Sequence, residues 1–460
     1  MSSPRRVVLI GLDCVPPKLL FDWYAGDMPT MASLRGRAVW GPLASTVPPI
    51  TVPAWSCMLS GRTPGELGVY GFRNRRDHRY DRSAFATSDW IQVPRVWDLV
   101  GAAGGQSIVL GVPGTYPPSP ISGHMVSCFL APSTDAAFTH PPGLREEVQR
   151  ATGGYVLDVA DFRNCPPASA AQRVFDMTEQ RFELAAHLAS SHPWDFMAFV
   201  DMGPDRLHHV LWQHCDPAHP KHEPGNALSG VFREYYRALD RHLGRFLEVV
   251  PDDAAVLVVS DHGAQPMLGG FRFNQWLVDQ GLLVLRGEPR PGRLDPALVD
   301  WPRTTAWGDG GYYGRLFLNV KGREPQGVVP PDRYEAVRQE LADALRALPD
   351  HTGVPMGTRV FRPEEVYPEV RNIAPDLIVY FGNLRWRAIG SLEPGGSLCT
   401  FDNDTGPDGA NHAEDGVFVL AADGLGGGRR DGLSIYDVAP TLQSLLGLPA
   451  PPAQRGQVVA

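Results

Sequence analysis

The sequence predicts an α/β fold: a mostly parallel central sheet with helices on both faces. Three observations predict it. Short apolar runs rich in Val, Ile, Leu and Phe recur with little polar alternation, as in strands buried on both sides. Helical patterns separate several of these runs, and strand followed by helix, repeated, implies parallel pairing. Acidic residues and histidines then follow the runs directly, at the carboxyl ends where open α/β sheets bind ligands.

The runs, in order, are Val7–Ile10, Ser107–Leu110, Phe196–Val200, Ala255–Val259, Leu316–Val320, Leu377–Phe381 and Val417–Leu420. Helical patterns cover Trp55–Leu59, Val96–Ala102, Ala171–Ser190, Gly230–Val250, Arg333–Ala347 and Tyr436–Leu446. Within the fourth of these, Phe232, Tyr235, Tyr236, Leu239, Leu243, Phe246 and Leu247 form one stripe, the mark of a helix facing a core. Stretches rich in Pro and Gly around 112–120, 287–293 and 322–332 read as loops. One elaborated domain over 1–460 is expected, with a smaller inserted cap or lid subdomain at about 271–370.

A chain of 460 residues, 43% hydrophobic and 20% charged, has the composition of an ordinary globular protein. A net charge of −9 argues against general nucleic-acid binding, which needs cationic surface to displace counterions. Arg73, Arg75, Arg76 and Arg79 nevertheless crowd one stretch, read first as a solvated loop and second as an anion contact. The lead Met1–Arg6 and the apolar run after it form neither a secretory signal nor a membrane span. Six scattered cysteines without a CxxC pair read as reduced thiols, hence a cytoplasmic location. Oligomeric state has no sequence signal.

The chemistry concentrates in a few places. Asp205 and His209 stand four apart in Pro204-Asp205-Arg206-Leu207-His208-His209, so on a helix both reach one ion, and His412 would complete that set. Asp261 and His262 follow the Ala255 run and diverge around a second ion that Asp13 also reaches. Mixed carboxylate and imidazole donors suit Zn²⁺ first and Mn²⁺ second. Two such ions about 4 Å apart clamp the attacking and leaving oxygens of a phosphoryl group. Thr51 stands just before the proline-started helix Pro53-Ala54-Trp55. On this stretch alone it reads as an N-cap; beside the metal ligands it reads as a nucleophile at a helix N-terminus. Cys14 reads as a small buried residue, Asp201 as either a strand-end cap or a partner to a ligand histidine, and His208, His214, His219 and His222 as surface groups.

These segments, together with Gly11-Leu12-Asp13, Ser60-Gly61-Arg62-Thr63-Pro64, Asn411-His412 and Tyr436–Leu442, resemble the type I phosphodiesterase/nucleotide pyrophosphatase family of the alkaline phosphatase superfamily. The resemblance implies an alkaline phosphatase-like fold and two divalent ions. One is held by Asp205, His209 and His412, the other by Asp13, Thr51, Asp261 and His262. It implies attack by Thr51 on phosphorus, a phosphoryl-threonine intermediate, and release by water, on a small phosphorylated metabolite or nucleotide. Phe72 stands near the place where the family's nucleotide pyrophosphatases carry an asparagine, so Arg73 and Asn74 are the expected substrate contacts. Two rivals accompany this reading: a phosphomutase of the same superfamily, and a catalytically silent protein that binds a phosphorylated metabolite.

Overall fold

The computed structural model describes residues 6–459; the lead segment 1–5 and residue 460 lie outside the described residues. The chain forms two compact units. One comprises the segment up to Phe72, Ala86–Ala264 and His412 onward; the other comprises Arg73–Phe85 and Gln265–Asn411.

The first unit holds the central sheet. Its main strands are β1 (Val7–Leu12), β2 (Val39–Ala44), β3 (Ser107–Leu110), β4 (Gly123–Val126), β5 (Thr139–His140), β6 (Phe196–Asp201), β7 (Ala255–Val259) and β8 (Asp415–Ala421). They lie in the order β2-β8-β7-β1-β6-β3-β4-β5. The run β7-β1-β6-β3-β4 is parallel, whereas β8, β2 and β5 pair antiparallel at the flanks. Every residue of β1, β3, β6 and β7 is buried, as expected where helices cover both faces.

Of the helices that frame this sheet, the one at Val96–Ala102 keeps its predicted bounds, and three others shift their ends and start or stop near the predicted patterns. The one after Ile50 begins earlier, and Gly203–Cys215 carried only the helical turn expected of Asp205 and His209. These helices are α1 (Thr51–Ser60), α2 (Val96–Ala102), α3 (Pro167–Ser191), α4 (Gly203–Cys215), α5 (Val231–Leu247) and α6 (Val438–Leu445). Helices α3, α4 and α5 pack together, and α1, α2 and α6 form another group. The α5 stripe is buried from Phe232 to Phe246 with Leu247 at its margin, each large side chain contributing about 2 kcal/mol.

The second unit is wider than the expected 271–370. It runs over 265–411 and takes in the hairpin of Arg73–Arg75 with Ser83–Phe85. Arg75 ties that hairpin in: its guanidinium lies 3.4 Å from Glu324 and over the rings of Trp307 and Phe317. The arginine stretch is therefore only partly a solvated loop. The Leu377–Tyr380 strand joins a four-stranded antiparallel sheet here, beside Gly314–Leu318, and not the central sheet. Trp276 and Trp307 belong to this unit's core.

Candidate metal centre

Sheet topology gathers the site. Strands β7, β1 and β6 are parallel neighbours, so Asp261 and His262, Asp13, and the start of α4 emerge side by side at one edge. Strand β8 runs the other way, which brings its amino end and His412 to the same edge. Strand β2 runs antiparallel to β8, with Ala44 opposite Asp415, so it too ends there and leads to Thr51.

Two groups of donor atoms result. Asp205 Oδ1 lies 3.2 Å from His209 Nε2 and 3.9 Å from His412 Nε2. His262 Nε2 is the hub of the other group, 3.3 Å from Asp261 Oδ2, 3.7 Å from Asp13 Oδ1 and 3.3 Å from Thr51 Oγ1. The His262 and His412 rings stack at 3.9 Å and join the groups. All seven side chains are buried. Thr51 is no cap: Ile50 holds that place with extended backbone, and the helix begins at Thr51 itself.

Backbone carbonyls fix the imidazoles as donors. His262 Nδ1–H donates to Gly263 O at 3.1 Å, and His412 Nδ1–H donates to Pro49 O at 2.7 Å. Each Nε2 lone pair is thereby turned toward the cluster. Burial pushes His262 down to about 4 and His412 well below the ordinary range, so both are neutral at neutral pH. Among the carboxyls, burial and then Asp205 push Asp13 well up, and burial and then Asp13 do the same to Asp261. Asp205 goes the other way: burial opposes ionisation, but His209 and Arg206 hold it well below the usual range. Asp13 Oδ1 and Asp261 Oδ2 are buried and accept no hydrogen bond, a costly arrangement that a cation among them would relieve. The donor set fits divalent metal ions on this ground.

Several positioning residues escaped the sequence reading. Trp55 Nε1 donates to Asp13 Oδ2 at 2.7 Å. Gly11 makes room for it, since a Cβ there would collide with the Trp55 ring. Arg206 pairs with Asp205 and grips Asp158 through two bonds of 2.8 Å. Both Trp55 and Arg206 lie inside the motifs, and adjacency was the available signal. His208 is fully buried, not a surface group: it donates to Cys14 O at 3.0 Å and accepts from Tyr236 at 3.1 Å. His219 is buried as well, accepting from Lys221 N at 3.0 Å. Asp201 is the cap of its two readings: it accepts from Gly203 N at the start of α4, from Thr178 and from Tyr235. Arg73 and Asn74 belong to the second unit; Arg73 is exposed with its guanidinium over Phe85, and Asn74 is buried. Arg73 lines a cavity of about 1050 Å³ within that unit, with Arg75, Arg272, Arg315 and Arg387.

A helix-borne hydroxyl beside clustered oxygen and nitrogen donors, at the carboxyl edge of a parallel sheet, is the arrangement of an α/β phosphoric ester hydrolase. The family follows from the sequence match: residues 7–408 fit the type I phosphodiesterase/nucleotide pyrophosphatase family, and the chain belongs to it. Solved structures share the fold at low identity. Murine ectonucleotide pyrophosphatase/phosphodiesterase 5 is 12% identical, with 98% of each chain covered and a TM-score of 0.56. Phosphonoacetate hydrolase from Sinorhizobium meliloti, in complex with phosphonoformate, is 14% identical, with 97% of this chain and 96% of that chain covered and a TM-score of 0.60. No curated protein matches. Among the described residues no helix is long and apolar enough to cross a membrane.

Proposed function

We propose that the chain hydrolyses phosphoric esters of a small phosphorylated metabolite or nucleotide through a phosphoryl-threonine on Thr51. The observation that carries this is Thr51 Oγ1 at 3.3 Å from His262 Nε2, uncapped and at the first turn of α1, whose N–H groups face a phosphoryl oxygen favourably. Asp205, His209 and His412 would hold one divalent ion, and Asp13, Asp261 and His262, with Thr51, the other. Such ions supply Lewis-acid stabilisation of phosphoryl oxygens. Thr51 Oγ1 bonds to phosphorus as the ester P–O bond breaks, and the alcohol leaves with the proton Thr51 gives up. Water then splits the phosphoryl-threonine and restores the hydroxyl, yielding phosphate if the chain acts as a phosphomonoesterase and a phosphate monoester if it acts as a phosphodiesterase.

Zn²⁺ leads and Mn²⁺ follows on donor chemistry. Murine phosphodiesterase 5 in complex with AMP and the hydrolase in complex with phosphonoacetate support a small anionic substrate. The six cysteines are all free, which supports a cytoplasmic setting. Arg73 and Asn74 keep their substrate assignment on sequence grounds, and Arg73→Ala raising KM with kcat held is its check.

Thr51→Ala, assayed with Zn²⁺ or Mn²⁺ on a panel of phosphate mono- and diesters, should cost at least about a thousandfold in turnover. Acid-quenched wild type should carry one phosphoryl group on Thr51. Unchanged turnover by the variant would refute the scheme. Transfer of the phosphoryl group back to substrate, without phosphate release, would instead establish the mutase.

A further inference from the structure

We propose that Cys14 is a sulfur ligand of the metal centre, so that the chain binds its metal through mixed thiolate, carboxylate and imidazole donors. The inference rests on the two-metal reading and adds a donor to it. Cys14 Sγ and ligand atoms of Asp205, His262 and His412 all lie within 4.8 Å of one another. These residues come from both donor groups. Asp13 Oδ1 and Asp261 Oδ2, buried without hydrogen-bond partners, point independently to a cation in the adjoining donor group, which shares His262 with the Cys14 cluster.

The backbone aims the side chain. Cys14 holds φ +66°, a left-handed conformation that costs a residue with a Cβ about 1–2 kcal/mol and that glycine adopts freely. Three bonds from site segments fix it there: Cys14 N donates to Asp261 Oδ1 at 3.3 Å, His208 donates to Cys14 O at 3.0 Å, and Val15 N donates to Ser260 Oγ at 2.8 Å. The thiol reaches Gly263 O at 3.5 Å and also faces the Asp205 carboxylate. An inert buried thiol explains neither this placement among donors nor the strained backbone at a position where glycine would serve.

On binding, the S–H bond breaks, an S–metal bond forms, and the proton leaves to solvent. Thiolate is a soft donor and favours Zn²⁺ over Mn²⁺, so the sulfur biases the choice of metal.

The test is zinc X-ray absorption on protein loaded with two equivalents of zinc, with competition titrations for Zn²⁺ and Mn²⁺. Wild type should show a sulfur scatterer at about 2.3 Å, absent from Cys14→Gly and Cys14→Ser. Cys14→Gly, which also relieves the backbone, should keep its unfolding midpoint or raise it. Its zinc affinity should fall at least about tenfold, and its manganese affinity should change less than about threefold. Wild type holding two zinc ions on nitrogen and oxygen alone would overturn the sulfur ligand and leave the two-metal reading standing. Wild type that binds neither zinc nor manganese would overturn both, and wild type that binds manganese alone would overturn the sulfur ligand only.

Discussion

At the scale of single residues, the centre is held by groups that never touch an ion. Arg206 shows this best, because one guanidinium fastens Asp205 to Asp158 while half-covered by the Phe129 and Phe162 rings. Arg206→Met leaves Asp205 buried without its cation, and breaking a buried pair of this kind costs about 3 kcal/mol. Urea unfolding of the metal-free variant should show that loss. Zinc affinity should fall about 10- to 100-fold, the usual effect of removing a ligand's hydrogen-bond partner. Trp55→Phe should lower zinc affinity similarly through Asp13, with a smaller loss of stability; equal affinities in wild type and both variants would show that these contacts do not orient the ligands. The six carboxylate and imidazole candidates were legible in the sequence because such residues at strand ends are rare in combination, whereas Thr51 entered the proposed set only through the family resemblance. Cys14 was not, since a lone cysteine carries no spacing signal. Its meaning comes from a backbone conformation that residue types do not encode.

At the scale of elements, α4 delivers two of the proposed ligands, and its place depends on one buried carboxylate. Asp201, at the end of β6, accepts from Gly203 N at 3.2 Å, Thr178 Oγ1 at 2.8 Å and Tyr235 OH at 3.2 Å, linking β6, α4, α3 and α5. Asp201→Ala should destabilise the fold by about 2–3 kcal/mol, the cost of leaving several buried donors unpaired. It should also weaken zinc binding through displacement of Asp205 and His209, and thermal unfolding with zinc competition reads both effects. Stability lost with affinity intact would show that α4 is placed by packing alone. The elements themselves were readable: α2 lies where its pattern predicts, and α5 buries its predicted stripe. The start of α1 was not, because Thr and Val ahead of Pro53 are poor helix formers and the cap signal of Thr51 outweighed them. What fixes that boundary is the extended backbone of Ile50, a tertiary constraint.

At the scale of the molecule, apolar periodicity shows that a strand exists but not which sheet it joins. Leu377–Tyr380 and the hairpin at 73–85 were therefore misplaced or missed, while the parallel core of the first unit was plain. Acid stability is a property of that unit as a whole, and its edge holds a group outside the metal centre that should govern part of it. The His124 ring on β4 lies tilted against His192, centroids 3.8 Å apart, and His192 and His187 both bond Glu147 at 2.9 Å. Burial and then the neighbouring His192 push His124 below its ordinary value, with His140 adding and Glu147 opposing. The unfolded chain therefore takes up a proton near pH 6.5 that the folded chain refuses, and stability falls as pH drops through that value. Glu147 does not confuse this window: burial works against it, but His192 and His187 hold its carboxyl below the ordinary range, so its contribution is lost only at lower pH. Between pH 7 and pH 5, His124→Gln should lose less stability than wild type. Because His124 is partly exposed, the difference should be below about 1 kcal/mol. Urea midpoints of metal-free protein at the two pH values measure it, and parallel losses in both proteins would remove His124 from the account of acid sensitivity.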